Sequence, residues 1–172
     1  MAEIRLRPIT AENWQACADL RVARSQEAFV APNLHSIAEA QFYPQIITRA
    51  IYSGTTLIGF VSYGFHDIAD PEDPILGWTW QIFRFMIDQG YQGRGLGLAA
   101  MRTTIAAIVA SPKHRPGDPL YLTYRAENEA AARLYARLGF TVIGMGVCRR
   151  IIARLDLTPE RAVTPLPVWG EG

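Results

Sequence analysis

Four glycines between Trp80 and Ala110 mark the part of the chain best suited to bind a ligand. Gly90, Gly93, Gly95 and Gly97 follow a predicted strand and precede or open an alanine-rich amphipathic helix. A strand, a glycine-rich turn and a helix in that order place unpaired backbone N–H groups and the positive end of a helix dipole around one hollow. Glycine permits the unusual φ angles and the close approach of a ligand that such a turn needs. The stretch therefore predicts a phosphate-binding loop.

Two other interpretations of this loop are open. Gly95–Ala100 matches the GxGxxA fingerprint of dinucleotide-binding folds, and a glycine-rich turn can also exist without a ligand. A dinucleotide-binding fold needs several successive βαβ units and an acidic residue at the end of the next strand. Only one crossover is predicted, over Ile82–Arg125, and its second strand ends with Thr123-Tyr124-Arg125. A ligand-free turn does not explain why Gln92 and Arg94 stand among the glycines just before a helix.

Two motifs make the chain resemble the GNAT superfamily of N-acetyltransferases. Gln92–Gly97 resembles the [QR]-x-x-G-x-[GA] signature with which that family binds the pyrophosphate of acetyl-CoA. Asn128–Tyr135, followed by Leu138-Gly139-Phe140, resembles the family's second motif, N-x-x-A-x-x-L-Y…G-F. More narrowly, Arg84–Gly97 and Gln26–Asn33 are similar to bacterial spermine/spermidine (diamine) acetyltransferases.

The resemblance implies a cofactor site built from three segments. Backbone N–H groups of the glycine loop would hold the pyrophosphate, and Arg94 would add positive charge. The residues of this pyrophosphate site are Gln92, Gly93, Arg94, Gly95, Leu96, Gly97 and Leu98. The backbone of Phe85, Met86 and Ile87 would pair with the pantetheine arm, and an N–H there, such as that of Ile87, would polarise the thioester carbonyl. Asn128 would hydrogen bond to the cofactor, cap the helix that follows it, or do both through different atoms.

Tyr135 is the candidate catalytic acid that the resemblance implies. In the family this tyrosine protonates the departing CoA thiolate, and pKa values of about 8.5 for a thiol and about 10 for a phenol are close enough for that exchange. A tyrosine that only fills the core is the alternative. The general base is left open: Glu27, in the loop between the first two helices, is the first candidate, His66 is the second, and a water chain would serve as well.

Composition and charge exclude several other classes. The net charge of +1 and the absence of a basic stripe disfavour a nucleic-acid partner, and no apolar run is long enough for a membrane helix. Without an apolar signal-peptide core at the start of the chain, a cytoplasmic location is expected. Cys17 and Cys148 are expected to be reduced packing residues, and the three histidines lack metal-ligand spacing, so no metal is expected. A homodimer is possible because members of the family are often dimers.

The predicted fold is an α/β domain with the element order β-α-α-β-β-β-α-β-α-β-β, which is the GNAT fold: a mixed, mostly antiparallel central sheet flanked by helices. Predicted strands cover 3–9, 49–53, 56–66, 75–88, 120–125, 141–145 and 149–157, and predicted helices cover 12–23, 36–43, 96–109 and 129–138. Thr10 is expected to cap the first helix and Ser36–Glu39 to form a capping box for the second. We expect one domain over 1–157 and an extended or disordered tail over 158–172. The acidic loop at His66–Pro74 either attracts a cationic substrate electrostatically or is a solvated turn.

These observations predict an acetyl-CoA-dependent N-acetyltransferase that moves an acetyl group directly to a primary amine. A small polyamine such as spermidine or spermine is the expected acceptor, and an amino-terminal peptide, an amino acid or an aminoglycoside is the alternative. The expected partners are acetyl-CoA and a small amine. From a different class, a non-catalytic acyl-CoA-binding sensor is compatible with the loop, although the presence of Tyr135 argues against it.

Overall fold

The computed structural model describes residues 3–68 and 77–157, in which seven strands and four helices follow the predicted order. The strands are β1 (Ile4–Pro8), β2 (Ile46–Ser53), β3 (Thr56–Ile68), β4 (Gly77–Ile87), β5 (Pro119–Arg125), β6 (Thr141–Gly146) and β7 (Arg150–Asp156). The helices are α1 (Trp14–Asp19), α2 (Asn33–Glu39), α3 (Leu96–Val109) and α4 (Glu129–Arg137). Short 3₁₀ turns lie at Arg24–Gln26, Gln89–Tyr91 and Val147–Arg149.

The described strands form one sheet in the order β1-β2-β3-β4-β5-β7-β6. Neighbouring strands are antiparallel except β4 and β5, which are parallel and are joined through α3. The parallel pairing ends at Ile82 and Leu122, although β4 continues to Ile87 and β5 continues to Arg125. The two strands therefore leave a gap in the sheet at their carboxyl ends.

The helices cover opposite faces of the sheet. α3 and α4 pack on one face, where Met101, Ile108 and Tyr135 join the main core with strand residues such as Trp80 and Leu122. α1 and α2 pack on the other face, where a smaller core consists of Cys17, Ala50, Phe60 and Met86 with partly buried neighbours. β4 contributes to both cores, which places its carboxyl end between the two helical layers.

The structure corrects the predicted helices of the amino-terminal half. α1 ends at Asp19 rather than Ala23, because the chain beyond it is held by the residues after β4: Asp88 Oδ2 accepts from the Arg21 N–H at 2.9 Å, and the Gln89 N–H donates to the Arg21 carbonyl at 2.7 Å. The N-cap position of α1 is Asn13 rather than Thr10.

The predicted capping box at Ser36–Glu39 is wrong. α2 begins at Asn33, directly after Pro32, so Ser36 lies inside the helix with a buried hydroxyl that has no hydrogen-bond partner among the described residues. The Asn33 side chain instead donates to the Cys17 carbonyl at 2.9 Å, which ties α2 to α1. This tertiary contact, together with the fixed φ of Pro32, sets where the helix starts.

α2 ends at Glu39 rather than Tyr43, and two strand boundaries also differ from prediction. β2 begins at Ile46 rather than Arg49, and β3 runs on to Ile68, so His66 and Asp67 belong to a strand rather than to an acidic loop. The rest of that acidic segment and the tail 158–172 lie outside the described residues, so both expectations stay predictions. Within 3–68 and 77–157, no helix is both long enough and apolar enough to cross a membrane.

Candidate active site

The gap between β4 and β5 opens into a cleft of about 300 Å³. Its walls come from the carboxyl halves of both strands, the start of β7, the glycine loop, the first turn of α3, one side of α4, and the segment after α1. Eight of the predicted cofactor and catalytic residues line it: Phe85, Met86, Ile87, Gln92, Gly93, Gly97, Asn128 and Tyr135. Arg94, Gly95, Leu96, Leu98 and Glu27 were also predicted, and they lie outside its lining.

The edge of β4 that faces the gap presents main-chain groups of alternate residues. The Asp88 N–H donates to the Ile58 carbonyl of β3 at 2.8 Å, so the main-chain groups of Asp88 and of Met86 face β3. Successive residues of a strand present their N–H and C=O groups to opposite edges, so those of Phe85 and Ile87 face the gap. The Ile87 carbonyl accepts from Gln92 Nε2 at 2.9 Å. An extended ligand can therefore pair with β4 where β5 no longer does.

The glycine loop supplies an anion site at the start of α3. Gly93 and Gly95 have φ angles of +74° and +73°, a region that side chains with a Cβ enter at a cost of roughly 1–2 kcal/mol. Gly95 occupies the N-cap position without any side-chain cap, and the first turn of α3 contains no acidic residue. The N–H groups of that turn have no partner within the helix, so they and the helix dipole are available to a phosphate.

Arg94 does not point into the cleft. Its guanidinium donates to the Gly90 carbonyl at 2.8 Å and lies 5.7 Å from the centre of the Tyr91 ring, so the side chain folds back over the loop. Its contribution in this conformation is to hold the loop and to add positive charge at its outer surface.

Two contacts tie the glycine loop to the segment after α1. Gln92 Nε2 donates to Gln26 Oε1 at 2.8 Å as well as to the Ile87 carbonyl. Asp88 accepts from the Gly90 N–H at 2.9 Å through Oδ1 and from the Arg21 N–H through Oδ2. The walls on both sides of the cleft are therefore fixed relative to each other. Sequence reasoning missed Asp88 and Gln26, although an aspartate that ends a strand before a glycine turn is a known turn-forming pattern.

Asn128 and Tyr135 meet the cleft from α4. Asn128 Oδ1 accepts from the Ala131 N–H at 3.1 Å, so the capping role is observed and its Nδ2 is the atom left for a ligand. Tyr135 is 9% exposed, and its ring packs against Tyr124 at 5.4 Å and Phe140 at 5.7 Å between centroids. Burial, reinforced by Tyr124 and opposed by Arg150, raises the pKa of Tyr135 to about 12. The hydroxyl is therefore protonated at neutral pH and able to donate.

Neither candidate base reaches the cleft lining. Glu27 is exposed and lines a neighbouring hollow that shares Val22, Val30 and Met86 with the cleft. His66 lies on β3, with Nε2 2.8 Å from Gln81 Oε1 and its ring 5.2 Å from that of Phe83. His66 is therefore, like Glu27, outside the lining of the cleft, and the identity of the general base stays a prediction.

Sequence reasoning missed the arginines of the cleft. Arg84, Arg125 and Arg150 all line it, from β4, β5 and β7. Arg150 donates to Thr123 Oγ1 at 3.0 Å and to the Thr123 carbonyl at 3.2 Å, and burial followed by the charges of Arg84 and Arg125 lowers its pKa. Arg84 gave one signal, since it interrupts an otherwise apolar run of β4.

This architecture belongs to an acyl-CoA-dependent class of transferase. The model of the acetyltransferase (GNAT) family matches residues 9–140, so the chain belongs to that family and is an N-acetyltransferase. The resemblance and the fold expected from the two motifs are thus confirmed. The family uses acetyl-CoA.

Individual relatives agree with this assignment. The spermine/spermidine N(1)-acetyltransferase of Bacillus subtilis (strain 168) is 31% identical over 144 residues, which are 82% of this chain and 90% of that protein. The aminoglycoside N(6')acetyltransferase of Legionella pneumophila superposes with a TM-score of 0.67 at 12% identity, over 91% of this chain and 94% of the other. Arabidopsis thaliana NAA60 in complex with acetyl-CoA superposes with a TM-score of 0.62 at 17% identity, over 90% and 98%. At such identities the solved structures establish the fold alone.

Proposed function

We propose that the protein transfers an acetyl group directly from acetyl-CoA to a primary amine. The observation that carries this proposal is that one cleft combines the uncapped first turn of α3, the edge of β4 beyond Ile82 with which β5 no longer pairs, and the buried Tyr135. The helix turn suits a diphosphate, and the strand edge suits an extended arm that contains amides. Tyr135 suits a sulfur atom that accepts a proton at the far end of that arm.

Acetyl-CoA, when bound, supplies an activated acetyl thioester. The first-turn N–H groups of α3 and the N–H of Gly93 hold its diphosphate, and the gap-facing groups of β4 pair with its arm. Ile87 is held to the loop by Gln92, whereas Phe85 lies two residues, or about 7 Å, farther along β4. We therefore place the Phe85 N–H rather than that of Ile87 at the thioester oxygen, and Tyr135 donates a proton to the sulfur.

Two-substrate kinetics test direct transfer. Initial rates of thiol release from acetyl-CoA, with both acetyl-CoA and amine varied, should give intersecting double-reciprocal lines, because both substrates must be bound together. Parallel lines would show a covalent acetyl-enzyme and would contradict the proposal. Tight binding of acetyl-CoA without turnover of any amine would support a sensor instead.

The acceptor is the second part of the proposal, and polyamines are one group of amines to be compared in this assay. The Bacillus relative supports a polyamine by its name. The described residues that line the cleft, however, include no carboxylate that could pair with the ammonium groups of a polyamine. Amino acids, amino-terminal peptides and aminoglycosides therefore stay in the panel beside spermidine, spermine and putrescine.

A further inference from the structure

Three arginine side chains lie on the face of the sheet opposite α3 and α4, because their neighbours on the strands, such as Leu122, pack in the core beneath those helices. Arg84 lies two residues from Met86, which packs in the α1–α2 core, so both side chains project to that face. Arg150 hydrogen bonds to the Thr123 hydroxyl, and Arg125 is two residues from Thr123, so these two arginines share a face as well. All three line the cleft, and the charges of Arg84 and Arg125 act on Arg150.

No anionic partner accompanies this cluster among residues 3–68 and 77–157. The three ion pairs found there join Arg5 to Glu3, Arg133 to Glu129 and Arg154 to Asp156. Arg84 Nε is buried without a hydrogen-bond partner, and the described lining of the cleft holds no aspartate or glutamate. A buried guanidinium nitrogen without a partner is costly, and neither Arg84, Arg125 nor Arg150 has an anionic partner among the described residues, so the cluster is suited to an anion that arrives with a ligand.

We infer that the acceptor is a primary amine that also carries a carboxylate, as an α-amino acid does, and that Arg84, Arg125 and Arg150 bind this carboxylate. The inference rests on the proposed function and narrows its acceptor. The diphosphate of the cofactor does not need the cluster, because the uncapped turn of α3 on the opposite face already provides an anion site.

The same cluster also helps the amine to react. The attacking amine must be neutral, whereas an alkylamine has a pKa of about 10 and is therefore charged at neutral pH. An amine whose carboxylate is bound by the cluster lies beside three positive charges, which disfavour its ammonium form. A carboxylated amine can therefore lose its proton to water in a cleft whose described lining contains no carboxylate base.

Matched acceptors that differ only in the carboxylate test the inference. Lysine is compared with cadaverine and phenylalanine with phenethylamine, with O-phosphoethanolamine against ethanolamine as the phosphate arm. The carboxylated member of each pair should have a kcat/KM at least 10-fold higher, since a charge-assisted hydrogen bond contributes about 10- to 100-fold in binding. Equal or better use of the bare amines would overturn the inference, and so would a preference confined to the phosphorylated amine.

Variants then assign the effect to residues. Arg84→Gln and the exposed Arg125→Gln should raise KM for the carboxylated amine about 10-fold or more and leave KM for acetyl-CoA within about twofold. Arg154→Gln is the matched control, on the same face of β7 but outside the cleft, and should change neither. A rise in KM for acetyl-CoA with unchanged acceptor preference would show that the cluster serves the cofactor and would refute the inference.

A binding measurement keeps this test independent of turnover. In the presence of CoA, calorimetry should show at least 10-fold tighter binding of N-acetylphenylalanine than of N-acetylphenethylamine, and Arg125→Gln should remove the difference. Equal binding of the two would overturn the inference even in an active enzyme. Preference for the carboxylate in a protein that never transfers acetyl would uphold the subsite and defeat only the proposed function.

Discussion

Replacing Tyr135 with phenylalanine removes a single hydroxyl from the cleft. The ring that packs against Tyr124 and Phe140 is retained, so the free energy of unfolding should change by no more than about 1 kcal/mol. Because the pKa of Tyr135 is about 12 and that of a free thiol is about 8.5, complete proton transfer to a solvated thiolate is uphill by about 5 kcal/mol. Burial raises the pKa of a thiolate formed in the same cleft, which narrows that difference.

These pKa values predict that Tyr135→Phe slows acetyl transfer without abolishing it. The hydroxyl stabilises the departing sulfur chiefly as a hydrogen-bond donor, an interaction with a charged group that contributes about 1.5–3 kcal/mol. Tyr135→Phe should therefore lower the rate of acetyl transfer about 10- to 150-fold, with the Kd for acetyl-CoA within about twofold. Single-turnover measurements with saturating amine would report the chemical step directly.

The pH dependence and a matched control make this prediction refutable. Because its pKa is raised, Tyr135 keeps its proton up to about pH 12. Any fall in rate between pH 7 and 10 therefore comes from another group and should persist in Tyr135→Phe. Tyr124→Phe, the neighbouring phenol in the cleft, should lose less than about threefold. An undiminished rate in Tyr135→Phe would remove Tyr135 from the mechanism, and a large loss in Tyr124→Phe instead would identify Tyr124 as the donor.

Three further predictions concern the cofactor loop and the cysteines. Gly95→Val should weaken acetyl-CoA binding at least 10-fold, since a β-branched side chain is strained at the φ of +73° that Gly95 adopts at the N-cap of α3; unchanged affinity would contradict the anion site. Gln92→Ala and Gln26→Ala should show a coupling of about 0.5–1.5 kcal/mol in a double-mutant cycle on acetyl-CoA affinity, and additive effects would refute the tie between them. A thiol reagent should modify the native protein once, at the exposed Cys148, because Cys17 is fully buried and burial raises its pKa to about 12; two fast equivalents would contradict this.

The sequence correctly predicted the helices and strands whose ends are determined by residues next to them in the chain. α3 occupies Leu96–Val109 as predicted, because a glycine precedes it and Ser111-Pro112 follows it. α2 failed for the opposite reason: the Ser36–Glu39 pattern is a valid local signal, but the contact of Asn33 with α1 starts the helix earlier. Cys17 is buried as predicted, whereas Cys148, which was also expected to be a packing residue, is exposed.

In the candidate site, too, residues within one local motif could be predicted and residues brought together by the fold could not. Short motifs located the glycine loop and the tyrosine of α4, because each motif lies within one turn or one helix. The arginine cluster could not be predicted, since Arg84, Arg125 and Arg150 come together only through the register of β5 with β7 and the early end of β4–β5 pairing. The tie between Gln92 and Gln26 likewise spans 66 residues, and neither residue alone indicates it.

One experiment follows the acetyl group from bound acetyl-CoA to the acetylated product. Acetyl-CoA labelled in the acetyl group is titrated calorimetrically into the protein, the amine panel is then added, and the amines are analysed by mass spectrometry. We predict one acetyl-CoA bound per chain and one labelled N-acetylamine formed for each thiol released. The absence of acetyl-CoA binding, or thiol release without an acetylated amine, would contradict direct acetyl transfer by this protein.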